Sequence, residues 1–125
     1  MAILQCRKTV STDEGKQRQA ALLAFSAFPE LKQVVLADDD VEIFDTDDVL
    51  WAMNTRFQGD RDIVTIPGVR CHPLDPSAGP EYSPGIWDQG ISCKTIFDCT
   101  VPFPLKERFR RAPFLELDPR KWLNG

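Results

Sequence analysis

Two short, uninterrupted apolar runs limit the folds that are open to this sequence. Residues 31–37, LKQVVLA, and residues 61–68, RDIVTIPG, are short and rich in β-branched side chains. Strands that are apolar on both faces are typical of a parallel sheet covered by helices on each side. We therefore expect both segments to be buried strands of an α/β layer.

The segments around these strands have helical periodicity. Ser11 and Glu14, three residues apart, form a capping-box motif at the start of a helix that Pro29 ends. A second helix begins at Asp45 or Thr46, in the segment DTDDVLWAMNTRF. The residues expected to face the core are Ala20, Leu23, Ala24, Ala27 and Phe28 in the first helix, and Val49, Leu50, Met53 and Phe57 in the second.

The remaining segments complete the prediction of the fold. A half-buried strand is expected at residues 3–10 and a last strand at residues 90–102, GISCKTIFDCTVP. Residues 69–89 form a long loop rich in Pro and Gly, and residues 111–125 form an irregular tail. The alternation of strands and helices predicts a single α/β domain over residues 1–125, with a mostly parallel mixed sheet flanked by helices.

Charge and composition exclude several classes of partner. The net charge is −4 and the basic residues are dispersed, whereas nucleic acids are bound by clustered Lys and Arg. No apolar run approaches the ~18 residues of a membrane span, and no secretory signal is recognisable, so we expect a cytoplasmic protein. One histidine and four cysteines without a C-x-x-C pair predict no zinc site. The thiols are expected to be reduced and mostly buried.

Three aspartates, Asp38 to Asp40, directly follow the first apolar run. Ligands bind at the carboxyl ends of strands in open α/β sheets, and carboxylates there suit a hard cation such as Mg²⁺. Charged residues also mark the point where a buried strand leaves the core. We favour the strand exit and assign no metal ligands. Asp47 and Asp48 lie in the first turn of the next helix, where the helix dipole favours anions.

The long loop carries the main candidates for a binding site. His72 is the only histidine, and histidine is the usual acid or base near neutral pH. Arg70 can bind a carboxylate through two parallel hydrogen bonds. Cys71 and His72 are adjacent and point apart, so a Cys–His dyad is not expected. A loop of this length is usually functional or packs against a neighbour, and a structural role for His72 is the alternative.

Four further residues are candidates for contacts with another subunit. Lys94 and Asp98 share one face of the last strand with Thr100, as a polar patch against a subunit or as a solvent-facing side. Trp87 and Trp122 lie in irregular segments, where exposed aromatic residues often mark interfaces. The sequence has no glycine-rich nucleotide-binding motif.

Three of these segments together resemble the C-terminal domain of the UbiD family of decarboxylases, the 3-octaprenyl-4-hydroxybenzoate carboxy-lyase type. They are KQVVLADDDVEIFDTDDVLWAMNTRFQGDRDIVTIPG, HPLDPS and GISCKTIFDCTVP, between about Leu31 and Pro104. The resemblance implies non-oxidative carboxy-lyase chemistry on aromatic or α,β-unsaturated acids with a prenylated flavin. It covers only the C-terminal part of a family member.

The resemblance also implies how the work is divided. Prenylated FMN with its metal ions, and the arginine and two glutamates that move the proton, belong to the larger N-terminal portion. We therefore assign no catalytic residue to this chain. By position, His72 and Leu74 would line the substrate pocket, with Arg70 beside them. A polar imidazole at this position favours a hydroxylated or otherwise polar aromatic acid.

The resemblance therefore predicts a small subunit, or C-terminal domain, of a UbiD-like decarboxylase. Its partner is a larger flavin-binding subunit in a homo- or hetero-oligomer, whose substrate pocket it closes without being catalytic alone. Met1 and a complete first strand favour a natural small subunit over a fragment. One alternative is a structural or regulatory binding module derived from that domain. Another is an independent enzyme that uses His72 with Asp75 or a cysteine.

Overall fold

A four-stranded sheet lies between two helices. The computed structural model describes residues 1–112, 120 and 121. The strands are β1 (Ala2–Cys6), β2 (Gln33–Asp38), β3 (Ile63–Arg70) and β4 (Ile91–Cys99), and the helices are α1 (Lys16–Ala27) and α2 (Thr46–Thr55). Short 3-10 segments follow β1 (Ser11–Asp13) and β4 (Phe103–Phe109).

The strand order combines parallel and antiparallel neighbours. The order across the sheet is β1-β2-β4-β3, in which β1, β2 and β4 are parallel and β3 runs antiparallel to β4. The predicted α/β domain with a mostly parallel mixed sheet is confirmed. β2 and β4 occupy the two central positions. Among the described residues, no helix combines the length and the apolar composition needed to cross a membrane.

The apolar run of strand β2 is uninterrupted because alternate residues of the strand pack beneath different helices. Val34 and Leu36 belong to the core cluster that includes residues of α1, and Val35 and Ala37 to the cluster that includes residues of α2. Each of the four is at most 1% exposed. Burying a valine or leucine contributes about 1.5–3 kcal/mol. The strand therefore contributes to both halves of the core.

Helix α1 begins later than the sequence pattern predicts. Residues Ser11–Asp13 form a separate 3-10 turn, and α1 begins at Lys16. The residue before it, Gly15, has a φ of 95°, in the left-handed region that favours glycine. The prediction that Ser11 and Glu14 cap this helix is therefore wrong.

The core-facing side of α1 also differs from the predicted side. Gln17, Ala21 and Phe25 are buried, whereas Leu23 and Phe28 are 70% and 67% exposed. The prediction followed the apolar side chains and so selected the more apolar side of the helix. The observed orientation depends on polar contacts with β4, which the apolar pattern does not contain.

These polar contacts come from two buried charged residues of β4. Lys94 and Asp98 are 5% and 4% exposed. The Asp98 carboxylate accepts a hydrogen bond of 2.8 Å from Arg18 Nε near the start of α1. Beyond the end of α1, Lys94 Nζ donates to the carbonyl oxygens of Pro29 and Leu31. The prediction that Lys94 and Asp98 form an outward-facing patch is therefore wrong. A buried charge needs partners, and α1 and the turn after it supply them.

Helix α2 begins where the sequence predicts. Asp45 caps it, since a carboxylate oxygen accepts from the Asp47 backbone N–H at 3.0 Å. Val49 and Ala52 are buried against the sheet. Leu50 was predicted to face the core, but it is 50% exposed.

Strand β3 is an edge strand. Among the described strands it pairs with β4 alone, and most of its residues alternate between exposed and half-buried. The pairing register shifts between Ile66 and Val69, where Pro67 has no donor and Gly68 has a φ of 70°. The prediction of a buried strand is wrong here, because an edge strand of a mixed sheet need not be covered on both faces.

The orientation of α1 gives a test of stability. Phe25→Ala removes a side chain that is 6% exposed and is expected to lower the free energy of unfolding by about 3–5 kcal/mol. Leu23→Ala, on the same helix, is expected to change it by less than about 0.5 kcal/mol. Urea unfolding followed by circular dichroism measures both. Equal losses would contradict the observed orientation.

Candidate functional site

The loop between β3 and β4 is folded against the turn that leads into β2. Lys32 Nζ, at the end of this turn, donates to Asp75 Oδ2 at 2.7 Å and to Ser77 Oγ at 2.6 Å. The Cys71 thiol donates to the Glu30 carbonyl at 3.5 Å. The predicted loop is therefore an ordered segment with side-chain anchors to residues 30–32.

His72 lies half-exposed on this loop with one ring nitrogen occupied. Its Nδ1 accepts the Leu74 backbone N–H at 3.0 Å, and its Nε2 lies 3.9 Å from a carboxylate oxygen of Glu30. A ring nitrogen that accepts a hydrogen bond carries no proton, so the neutral ring holds its proton on Nε2. His72 thus presents an N–H donor away from its own backbone.

The other two residues predicted to line the substrate pocket are Leu74, on the same loop, and Arg70, at the end of β3. Leu74 is 83% exposed. Arg70, at the end of β3, donates to the Gln89 carbonyl at 3.0 Å and lies 3.5 Å from the Asp88 carboxylate. None of Arg70, His72 and Leu74 lines the cavity that lies beside this loop. Their role in a substrate pocket stays a prediction.

That cavity, of about 620 Å³, lies between the loop and the strands β3 and β4. Its lining is mainly apolar and aromatic, and Trp87 and Tyr82 on its wall are 69% and 72% exposed. Trp87 packs against Gly68, where an added Cβ would lie 3.3 Å from the indole ring. Trp122, the other predicted interface tryptophan, lies outside the described residues. The lining also includes Lys32, Ser77, Ile86, Ile91, Ser92 and Cys93.

Sequence reasoning did not identify Lys32 as a site residue. Its ammonium pairs with a carboxylate 43 positions along the chain, and no spacing rule connects them. The one available signal was the segment Asp75-Pro76-Ser77, which is typical of a side-chain-capped turn. In the structure Asp75 Oδ1 accepts from the backbone N–H of Ser77 at 2.9 Å and from its hydroxyl at 2.8 Å.

The dyads considered for an independent enzyme do not form here. The Asp75 carboxylate is bonded to Lys32 and Ser77, not to the His72 ring. Cys71 is buried and points to Glu30. Burial raises the pKa of the Cys99 thiol to about 12, so it remains protonated at neutral pH.

Two of the three aspartates at the end of β2, Asp38 and Asp40, are held by an arginine at the end of α2. The side chain of Arg56 is 2% exposed; it donates to Asp38 at 2.9 Å and binds both carboxylate oxygens of Asp40, at 2.6 and 2.8 Å. The Arg56 hydrogen bonds lower the pKa of Asp40, whereas burial raises the pKa of Asp38. These carboxylates are engaged in an ion-pair cluster, which supports the strand-exit interpretation.

A second arginine extends this cluster across α2. Arg111 binds both carboxylate oxygens of Asp48, at 2.7 and 2.9 Å, and its guanidinium carbon lies 4.0 Å from the centre of the Trp51 ring. Hydrogen bonds from Arg111 lower the pKa of Asp48. Within the described part of the chain, no group of three or more His, Cys, Asp and Glu side chains is arranged to hold a metal ion.

All four strands of the sheet lie within the part of the chain that matches one known protein family. Residues 1–99 match the family model UbiD_C, described as the 3-octaprenyl-4-hydroxybenzoate carboxy-lyase C-terminal domain. The chain belongs to this family of UbiD C-terminal domains. The resemblance inferred from the three sequence segments is thereby confirmed.

Relatives of this UbiD domain are decarboxylases of much greater length. Gallate decarboxylase of Lactiplantibacillus plantarum is 55% identical over 98% of this chain and 26% of its own length. The apo structure of a 3,4-dihydroxybenzoic acid decarboxylase from Enterobacter cloacae has a TM-score of 0.87 at 60% identity, over 98% of this chain and 25% of that chain.

A more distant relative has been solved with a flavin. The UbiD-class enzyme HmfF from Pelotomaculum thermopropionicum, in complex with FMN, has a TM-score of 0.77 at 32% identity, over 98% of this chain and 25% of that chain. The UbiD domain described here thus spans about a quarter of the length of the relatives that it matches.

The Arg56 cluster gives a test with a matched control. Arg56→Met leaves Asp38 and Asp40 without their cation and is expected to lower the free energy of unfolding by about 3 kcal/mol, the lower end for a broken buried pair, because Asp40 is partly exposed. Arg61→Met removes an arginine that is 71% exposed and is expected to cost less than about 1 kcal/mol. Chemical denaturation at pH 7 compares them. A similar cost for both would show that the cluster contributes little.

Proposed function

We propose that this chain is the C-terminal part of a cytoplasmic UbiD-type decarboxylase of hydroxylated aromatic acids. In this proposal a larger portion binds prenylated FMN with its metal ions and carries the proton-transferring groups. The present chain closes the substrate pocket and contributes to assembly, and it is not catalytic alone. The observation that carries the proposal is coverage, since nearly the whole chain aligns with only about a quarter of each relative.

Two relatives support the substrate class. Gallate and 3,4-dihydroxybenzoate are both benzoic acids with ring hydroxyls, and they are named for proteins at 55% and 60% identity. The Nε2–H of His72 suits such a ring, because it can donate to a hydroxyl or phenolate oxygen. A ring without that oxygen would leave the donor unpaired, which is how a polar site discriminates between analogues. The exposed Leu74 can contact the apolar face of the same ring.

Exposed apolar side chains support the assembly role. Leu23 and Phe28 project from the α1 side of the domain, and Tyr82 and Trp87 project from the loop. All four are at least 67% exposed in this chain. Large apolar groups on a surface commonly mark contacts with another protein surface. The remaining three quarters of a full-length relative is the surface that we propose to cover them.

The assignment of the flavin to the larger portion is supported by the cavity between the loop and the strands β3 and β4, whose lining offers a flavin no free cation. Lys32 is the charged residue of that lining, and its ammonium is already bonded to Asp75 and Ser77. A flavin phosphate would have to break this ion pair. When bound by the larger portion, the flavin supplies the electron sink for the loss of carbon dioxide. The part of this chain is to hold His72 and Leu74 against the substrate and to exclude water.

Flavin content and turnover test the division between the two portions. The purified chain is expected to retain no flavin absorbance after incubation with prenylated FMN, and to release no carbon dioxide from 3,4-dihydroxybenzoate. Mixed with the flavin-binding subunit from the same organism, it is expected to co-elute with it and to support turnover. Flavin on the chain alone, with turnover that His72→Gln abolishes, would support an independent enzyme. Co-elution without turnover of any aromatic acid would support a structural or regulatory module.

His72→Ala tests the pocket assignment in the assembled enzyme. Loss of one hydrogen bond to the substrate is expected to lower kcat/KM for 3,4-dihydroxybenzoate by about 10–100-fold. The value for 3,4-dimethoxybenzoate, and co-elution with the larger subunit, are expected to change little. His72→Gln keeps an N–H donor and should retain part of the preference. A lost complex with an unchanged preference would contradict the assignment.

A further inference from the structure

The segment that presents His72 and Leu74 is tied to the sheet through one side chain. Lys32 is fixed in place because its carbonyl accepts the Thr95 backbone N–H of β4 at 3.1 Å. The preceding residue, Leu31, is held through its carbonyl by Lys94. The Lys32 ammonium therefore projects from a backbone position that two contacts with β4 define.

A short chain of hydrogen bonds leads from Lys32 to His72. Lys32 binds Asp75 Oδ2, and Ser77 occupies the other carboxylate oxygen, Asp75 Oδ1. The Asp75 backbone N–H donates to the His72 carbonyl at 3.1 Å, which closes the turn between them. This turn also places the Leu74 N–H against His72 Nδ1. The hydrogen bond from Lys32 lowers the pKa of Asp75 to about 2, so this carboxylate stays charged at any ordinary assay pH.

We propose that the Lys32–Asp75 ion pair is a positioning device, which fixes the His72 ring with Nδ1 occupied and Nε2–H directed to the substrate. The inference rests on the proposed function, because it assigns His72 to the pocket. Neither Lys32 nor Asp75 is a catalytic residue, since each acts on the substrate only through His72.

The exposure of the pair separates positioning from general stabilisation. The side chains of Lys32 and Asp75 are 35% and 18% exposed. Partly exposed ion pairs contribute little to global stability. The main consequence of losing this pair is therefore local, at the turn of residues 72–77, while the sheet remains intact. The pair Lys16–Asp13, at 2.9 Å with Lys16 67% exposed, is a matched control because it lies far along the chain from the loop.

The first experiment uses NMR on this chain, in which His72 is the only histidine and gives a single ring spin system. Lys32→Met is expected to speed amide hydrogen exchange at Leu74 about fivefold, as loss of a surface ion pair allows. It should also increase the fraction of neutral His72 that carries its proton on Nδ1. Val35, in the core of β2, should be unchanged. Lys32→Arg should restore most of the protection, and Lys16→Met should have no effect.

The second experiment measures kinetics in the complex with the flavin-binding subunit. Lys32→Met is expected to reduce the preference for 3,4-dihydroxybenzoate over 3,4-dimethoxybenzoate about fivefold. In a His72→Ala background the same substitution is expected to have no further effect, because positioning acts only through the ring.

The two experiments distinguish a failure of the positioning role from a failure of the proposed function. Unchanged Leu74 exchange and an unchanged His72 ring in Lys32→Met would overturn the positioning role, whatever the enzyme does. An effect of Lys32→Met on preference that persists without His72 would also overturn it. An assembled wild-type complex without turnover would refute the proposed function, while the exchange measurements would still decide whether the ion pair positions the ring.

Discussion

The buried charges of β4 determine how the rest of the domain is arranged. Lys94 and Asp98 lie in a central strand at about 5% exposure, where an unpaired charge is costly. Arg18 of α1 and the carbonyl groups of the turn after α1 pair with them. This requirement fixes the rotation of α1 and turns Leu23 outward. It also fixes the turn from which Lys32 reaches the long loop.

The two ends of β2 have different roles in the structure. At its carboxyl end, the usual ligand edge of an open α/β sheet, Asp38 and Asp40 are engaged by Arg56. At its amino end, Lys32 anchors the loop that carries His72. The candidate site therefore lies at the opposite edge from the one that the strand pattern favours. The proposed closure of a pocket on another portion would use the exposed face of this loop.

The outcome of each sequence prediction follows from the range of the interaction involved. The cap of α2 by Asp45 depends on groups two residues apart, and it was correct. The prediction that β2 is buried on both faces depends on side chains that alternate with a period of two residues, and it was also correct. The predicted orientation of α1 was wrong because the contact that decides it joins Arg18 to Asp98, 80 residues away. The loop anchor at Lys32 was not found for the same reason.

The sequence by itself determined the α/β class and the family, and it made His72 and Leu74 candidate pocket residues. Apolar periodicity and recurrent local segments are short-range properties, and a single chain displays them directly. The tertiary structure alone decided which side of α1 is buried, that Asp38 and Asp40 pair with Arg56, and that the His72 ring keeps its Nδ1 occupied. Each of these depends on hydrogen-bond partners whose distance and direction are set only when the chain has folded.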